Sequence, residues 1–340
     1  MVKVFFCVSR FKEVMVMILN LLILAVGFFG LIKGADLFVD GSAGLARNFH
    51  VPGLIIGLTI VALGTSAPEL AVSTSAAMQG SNEIALSNVV GSNIFNLLVV
   101  LGVCALIHPV PVDHAILRRD FPVSIASTVF VMAAAGAGAF FDGKLRNLGM
   151  EDTAGTVTRA VGLLLITAFM IYIGCLIHDA KKHPEKETEA ETQSIGKCAC
   201  FILLGIALIV GGGQAVVYSA KEIARAAGMT ETLIGLTIVA AGTSLPELVT
   251  SIVAAKKEET GLAVGNAIGS NIFNLMFILG VSALIHPVTV NLASVFDMVI
   301  LIGVSALTLL FAATGNSIDR KEGAMMVAVY IADLFFAILR

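Results

Sequence analysis

The sequence predicts an all-α integral membrane protein, with ten transmembrane helices arranged as two inverted-topology five-helix repeats. Three observations carry that expectation: scarce charge, ten apolar runs and an internal repeat of fixed offset. Of 340 residues, 57% are hydrophobic and 13% charged, about half the charged share of a soluble domain. Mean hydropathy is +0.96. A water-facing surface cannot be made from 21 basic and 24 acidic side chains among so many aliphatic ones, so the solvent is the lipid bilayer. A net charge of −3 offers no basic footprint for nucleic acid. Five cysteines (Cys7, Cys104, Cys175, Cys198 and Cys200) are odd in number and lie mostly in or beside apolar runs. Lone thiols there act as small hydrophobes, so no disulfide framework, metal cage or resident cofactor is expected.

A spanning helix takes about 20 apolar residues. Runs of that kind lie at 15–45, 52–78, 84–108, 120–141, 158–178, 197–225, 232–255, 261–286, 294–313 and 322–339. Charges gather in the breaks, as in Arg118-Arg119-Asp120 and Lys256-Lys257-Glu258-Glu259. The longest polar stretch, His178 to Lys197, divides the chain into a first repeat over 1–178, a solvated linker over 179–196 on the cytoplasmic side, and a second repeat over 197–340. Lys3, Arg10 and Lys12 precede the first run as in a signal peptide, but the run continues past Leu37 without a small-residue cleavage site and reads as a retained span. A multi-pass protein of the cell membrane follows. Orientation is weakly signalled: with the N-terminus outside, eleven basic residues fall in inner loops against nine opposite.

The repeat is specific. Ile56–Leu70 (IGLTIVALGTSAPEL) and Ile234–Leu248 (IGLTIVAAGTSLPEL) agree at thirteen of fifteen positions, offset by 178. Gly91–Val110 (GSNIFNLLVVLGVCALIHPV) and Gly269–Val288 (GSNIFNLMFILGVSALIHPV) agree at sixteen of twenty, at the same offset. Each unit holds five spans, an odd number, so two alike units must insert with opposite topology. Such inverted repeats characterise secondary transporters, whose sites lie near the midplane. A duplicated scaffold would match apolar residues, but here the best-matched stretches carry the polar ones.

Glu69 and Glu247 fall mid-span, where a carboxylate costs at least a few kcal/mol unless paired, protonated or bound to a cation. Thr65 stands four residues before Glu69 and so shares its helix face, with Ala62 three residues earlier; Thr243, Glu247 and Ala240 repeat the pattern. Pro68 and Pro246 lack an N–H, which frees the Gly64 and Gly242 carbonyls and opens the helix. Freed carbonyls at membrane depth must face protein, water or an ion, and carbonyl, hydroxyl and carboxylate oxygens are the hard ligands of calcium and sodium. Asn88, Ser92 and Asn96 form a second polar stripe at fourfold spacing, matched by Asn266, Ser270 and Asn274. Gly261, Gly265 and Gly269 favour close helix packing. A packing role is the reading for Asn93 and Asn271.

Other polar residues lie outside this pattern. Asp36 and Asp40 correspond to Gln214 and Tyr218, and either border an aqueous entrance or occupy a helix end. His108 and His286 precede prolines and suit helix termination at the interface, and Gly211–Gly213 suits packing.

The paired GTS-x-PEL and GSNIFN blocks resemble the two alpha-repeats of the sodium/calcium exchanger family, in its compact prokaryotic form. That resemblance implies Glu69 and Glu247 as central calcium ligands. It also implies hydroxyl or carbonyl oxygens from Thr65, Ser66, Thr243 and Ser244, and carbonyls from Ala62 and Ala240 for sodium. Ser92, Asn96, Ser270 and Asn274 would complete the sites. It further implies both termini outside, and long, tilted, mobile first and sixth spans. Potassium-dependent relatives commonly carry Asp at the position of Asn274, which points away from potassium cotransport, and GTS-x-PE favours sodium over proton coupling. The expected function is antiport of sodium against calcium by alternating access at a midplane site. The alternatives are a proton/calcium antiporter or a passive cation channel. No nucleophile–base pair accompanies the glutamates, so no enzyme is expected. The oligomeric state is left open.

Overall fold

The computed structural model describes residues 2–80, 82–141, 149, 152–182, 193–229 and 240–339. The middle of the expected linker and the start of the seventh run, 232–239, lie outside the described residues. The described chain is almost wholly helical. In the first half the helices are α1 (Val2–Phe49), α2 (Gly53–Thr65), α3 (Ala67–Met78), α4 (Glu83–Ile107), α5 (Phe121–Phe141) and α6 (Arg159–Lys182). In the second half they are α7 (Ile195–Ala226), α8 (Ala240–Thr243), α9 (Leu245–Lys256), α10 (Thr260–Ile285), α11 (Leu292–Ala313) and α12 (Arg320–Leu339). Among the described residues six of these, α1, α4, α6, α7, α10 and α11, are long and apolar enough to cross a membrane. The pair α2 and α3, bent by 50°, makes a seventh if taken as one broken span. Leu19, Leu22, Val26 and Phe29 on α1 and Leu203 on α7 stand exposed, as lipid-facing side chains do.

Among the described residues, four short strands join the halves. β1 (Val110–Pro111) pairs antiparallel with β4 (Ser317–Ile318), and β2 (Thr153–Val157) with β3 (Val288–Asn291). Val110 and Val288 are positions of the 178 repeat, so each half's His-Pro-Val segment pairs with the strand that precedes the other half's last helix. Arginines sit just beyond those strands: Arg159 donates to the carbonyls of Leu284 and Ile285, and Arg320 to that of Ile107. They cover helix-end carbonyls that have no intrahelical partner.

Glycines set the helix spacing. A Cβ on Gly34 would lie 2.9 Å from the Gly205 carbonyl oxygen, and one on Gly212 would lie 2.7 Å from that of Gly27. So α1 and α7 cross antiparallel, nearly backbone to backbone. A Cβ on Gly265 would meet the Leu54 oxygen at 2.5 Å, which seats α2 on α10. Within these helices, wider π-helical turns occur at Gly57–Val61, Asn96–Val100, Ile116–Asp120 and Phe273–Ile278. Two of them begin at or beside the second asparagine of each GSNIFN block.

Candidate cation-binding site

The GTS-x-PE blocks break their helices as proline chemistry requires. Ser66 leaves the helical region (φ −83°, ψ 13°), as does Ser244 (φ −89°, ψ 7°). Pro68 and Pro246 then fall in the first turn of α3 and α9, where a missing N–H is tolerated. The break corrects one sequence argument: Thr65 ends α2 while Glu69 begins α3, so the two do not share one helix face. Thr65 turns instead to Asn266, placing Oγ1 2.9 Å from Asn266 Oδ1.

The carboxylates are tied crosswise. Ser66 Oγ donates to Glu247 Oε1 at 2.7 Å, and Ser244 Oγ to Glu69 Oε1 at 3.2 Å. Ser92 Oγ adds a longer bond to Glu69 Oε1 at 3.4 Å. Glu69, Glu247, Ser66 and Ser244 are all fully buried. Ser66 and Ser244 therefore each serve the glutamate of the other half, which brings both GTS-x-PE blocks to one place.

Asn88 and Asn266 hold these helix starts. Asn88 Nδ2 donates to Ser73 Oγ at 3.0 Å and to the Glu69 carbonyl at 3.4 Å. Asn266 Nδ2 repeats this with Ser251 Oγ at 2.9 Å and the Glu247 carbonyl at 3.3 Å. Ser73 and Ser251 were missed by motif reading, although their 178 offset is a signal that would have found them. Asn96 and Asn274 are buried and donate to Asn271 and Asn93 side chains. Ala62 is fully buried, and its carbonyl accepts from Ser66 N at 3.1 Å and, more weakly, from Thr65 Oγ1 at 3.4 Å. Ala240 opens α8.

Several buried oxygens have no hydrogen-bond partner among the described residues: Oε2 of Glu69 and Glu247, Oδ1 of Asn96 and Asn274, Oγ1 of Thr243 and Oγ of Ser270. Six such oxygens gather on residues of the paired sequence blocks, and a cluster of unpaired buried acceptors calls for a partner. All are hard oxygen donors, and two belong to carboxyl groups, the chemistry of a calcium or sodium cage. Among the described residues no three His, Cys, Asp or Glu side chains come together as for a transition metal.

A cavity of about 350 Å³ reaches the site from one end, lined by Pro68, Thr243 and Pro246 and, further out, by Gln214, Tyr218 and Lys221. At the opposite end α1 is tethered. Lys257 Nζ lies 2.7 Å from Asp40 Oδ1, 3.5 Å from Asp36 Oδ1 and 3.2 Å from the Asp36 carbonyl oxygen, and Arg47 pairs with Glu259 at 3.3 Å. Asp36 and Asp40 thus bind the α9–α10 turn. A larger cleft of about 490 Å³, lined by Arg47, Asp113, Glu258 and Glu259, also lies at that end and touches none of the site oxygens.

The pattern characteristic of sodium/calcium exchanger proteins matches residues 19–177 and 197–339, both halves of the chain. The chain belongs to the sodium/calcium exchanger family. It is therefore a multi-pass membrane transporter of the cation/calcium antiporter type, not an enzyme. It is 32% identical to the sodium/calcium exchanger MaX1 of Methanosarcina acetivorans, over 93% of this chain and 97% of that one. It is 26% identical to the Ca(2+)/H(+) antiporter ChaA of Bacillus subtilis, over 83% and 82%. Among solved structures it is similar to the sodium-calcium exchanger NCX_Mj soaked with Na+, with a TM-score of 0.79 and 31% identity over 95% of this chain and all of that one. The same exchanger has been solved after soaking with Na+ and Sr2+.

Proposed function

We propose that this family member is a secondary-active antiporter that exchanges sodium ions for calcium by alternating access. Ten transmembrane helices would form two inverted repeats, 1–178 and 197–340, joined by the linker 179–196. The observation that carries the reading is the crossed pair of glutamates, each bonded by the other half's serine and each keeping one bare oxygen. The ligands assigned are Glu69, Glu247, Thr65, Thr243, Ser66, Ser244, Ala62, Ala240, Ser92, Asn96, Ser270 and Asn274.

The coupling follows from charge. Two carboxylates balance one calcium ion, and sodium ions entering the same oxygens must displace it. An unloaded site leaves two charges at depth, a costly arrangement to carry through an apolar barrier, so loaded forms switch access and the unloaded form resists. With the N-terminus outside, the cavity beside Thr243 and Pro246 faces outward and the Lys257 ion pairs close the inner end.

Similarity to ChaA supports a second reading, proton/calcium antiport on the same glutamates. One assay separates them: calcium uptake into sodium-loaded proteoliposomes with and without a pH gradient, for wild type, Glu69→Gln and Glu247→Gln. Sodium-driven uptake by wild type alone is expected. Uptake that ignores sodium and follows the pH gradient selects the second reading, and normal exchange by both variants removes the site assignment.

A further inference from the structure

We infer that Asn93 and Asn271 are positioning residues that dictate which end of the Asn96 and Asn274 amides is offered to the cations. The inference rests on the cation-site reading above and extends it to two residues that the sequence pattern gives to packing.

The argument is one of hydrogen-bond polarity. Asn93 Nδ2 lies 3.1 Å from the backbone oxygen of Asn271, and Asn271 Nδ2 lies 3.2 Å from that of Asn93. A backbone carbonyl only accepts, so both amides must turn their nitrogens to it, and their Oδ1 atoms can then only accept. Asn93 Oδ1 receives Asn274 Nδ2 at 3.1 Å, and Asn271 Oδ1 receives Asn96 Nδ2 at 3.2 Å. The nitrogens of Asn96 and Asn274 are thereby committed. What remains is an oxygen on each, and those two Oδ1 atoms are among the buried oxygens without a partner.

Amide nitrogen and oxygen are interchangeable in shape, and only the bonding network tells them apart. Here two backbone carbonyls settle all four amides. The four residues are fully buried, so water does not relax the constraint. Asn96 stands four residues after Ser92, which bonds Glu69, so its free oxygen belongs to the same helix face as a glutamate partner. An amide turned the other way would aim an NH2 group at a cation.

The control is crossed. Asn93 sets Asn274 in the other half, not its own neighbour Asn96, and Asn271 sets Asn96. Removing the Asn93 side chain leaves the Asn271 amide held by the Asn93 backbone carbonyl, so Asn96 stays oriented and only Asn274 is released.

The test is calcium binding to the purified full-length protein by equilibrium titration, arranged as double-mutant cycles. Asn93→Ala is expected to weaken binding about fivefold to tenfold, the value of one lost buried hydrogen bond. In an Asn274→Asp background the same change should cost less than about twofold, because a carboxylate presents oxygen whichever way it turns. In an Asn96→Asp background the full loss should persist. Equal losses in all backgrounds, or coupling of Asn93 to Asn96 rather than Asn274, would overturn the inference. If Asn93→Ala is not monodisperse, the mirror cycle of Asn271→Ala with Asn96→Asp tests the same logic. Failure of wild type to bind calcium at all would remove the cation-site reading and this inference with it.

Discussion

Replacing Lys257 by Gln should loosen one end of the molecule and leave the other unchanged. In the structure its ammonium holds Asp40, Asp36 and the Asp36 carbonyl, joining α1 to the turn after α9. The Lys257 side chain is 30% exposed, and those of Asp36 and Asp40 are 36% and 47% exposed, so each pair is worth a surface value of about 0.2–1 kcal/mol. Two pairs together with about 1 kcal/mol for the bond to the carbonyl give roughly 1.4–3 kcal/mol, a factor of about 10–150 in an equilibrium. Glutamine keeps much of the length but removes the charge. The measurement is amide hydrogen exchange at the α9–α10 turn, which reports local opening free energy. Exchange there should accelerate by that factor while α8 and the start of α3, beside the cavity, stay unchanged. High salt should accelerate the wild type more than the variant, which keeps only the Arg47–Glu259 pair at this turn for salt to screen. Unaltered exchange at the turn, or equal acceleration at both ends, would refute the latch.

Two further outcomes follow from buried bonds. Ser66→Ala should weaken calcium binding by about 1 kcal/mol, roughly fivefold, and more than Ser244→Ala, because Ser66 Oγ reaches its glutamate at 2.7 Å and Ser244 at 3.2 Å; titration of the two variants side by side checks the order. Asp120 is fully buried and accepts from Tyr172 Oη at 2.9 Å and Arg119 Nε at 2.7 Å, while Arg119 also bonds Asp179. Asp120→Ala should therefore lower stability by about 1–3 kcal/mol, because the Tyr172 hydroxyl loses its acceptor while Arg119 keeps Asp179, read as a fall in Tm in detergent. The exchange rate per folded molecule should be retained.

Much of the site was legible because its chemistry is carried by residues that a membrane span otherwise excludes. Glu69 and Glu247 declare themselves by depth, and the 178 offset pairs them in the sequence alone. Which side chain meets which was not legible. Ser66 serves Glu247 rather than Glu69 because the chain turns at Ser66, and no spacing rule on one helix anticipates a partner from the other half. The same break removed the expected Thr65–Glu69 face. The role of Asn93 was hidden because amide packing and amide positioning leave the same trace in a sequence; only the polarity of the bonds separates them. The π-helical turns at Asn96 and Phe273 were also invisible, since their apolar residues fit an ordinary helix equally well. The antiparallel approach of α1 and α7 through Gly27, Gly34, Gly205 and Gly212 was partly readable, because Gly27 and Gly205, and likewise Gly34 and Gly212, are 178 apart.

On the antiporter reading, the departures from duplication carry as much meaning as the matches. A site that must meet both sides of a membrane gains from being the same seen from either side. The crossed serine–glutamate bonds and the amide ring are paired in that way at repeat-related positions. A perfectly duplicated chain would also have equal energies with either end open, and nothing in it would favour one resting state. The ends are where this sequence departs from its own repeat. Asp36, Asp40 and Lys257 correspond to Gln214, Tyr218 and Gln79, so this ion-pair cluster has no repeat-related counterpart, and the cavity lies at the end that lacks it, where Gln214 and Tyr218 line it together with Lys221, Glu222 and Arg225. A bias of about 1.4–3 kcal/mol from surface-grade ion pairs and one carbonyl bond is large enough to set the resting population and small enough for an ion's differential binding to reverse. Stronger, buried pairing at the same place would trap the protein with one side closed. Partly exposed lysine and aspartate therefore suit a latch that has to release in every cycle.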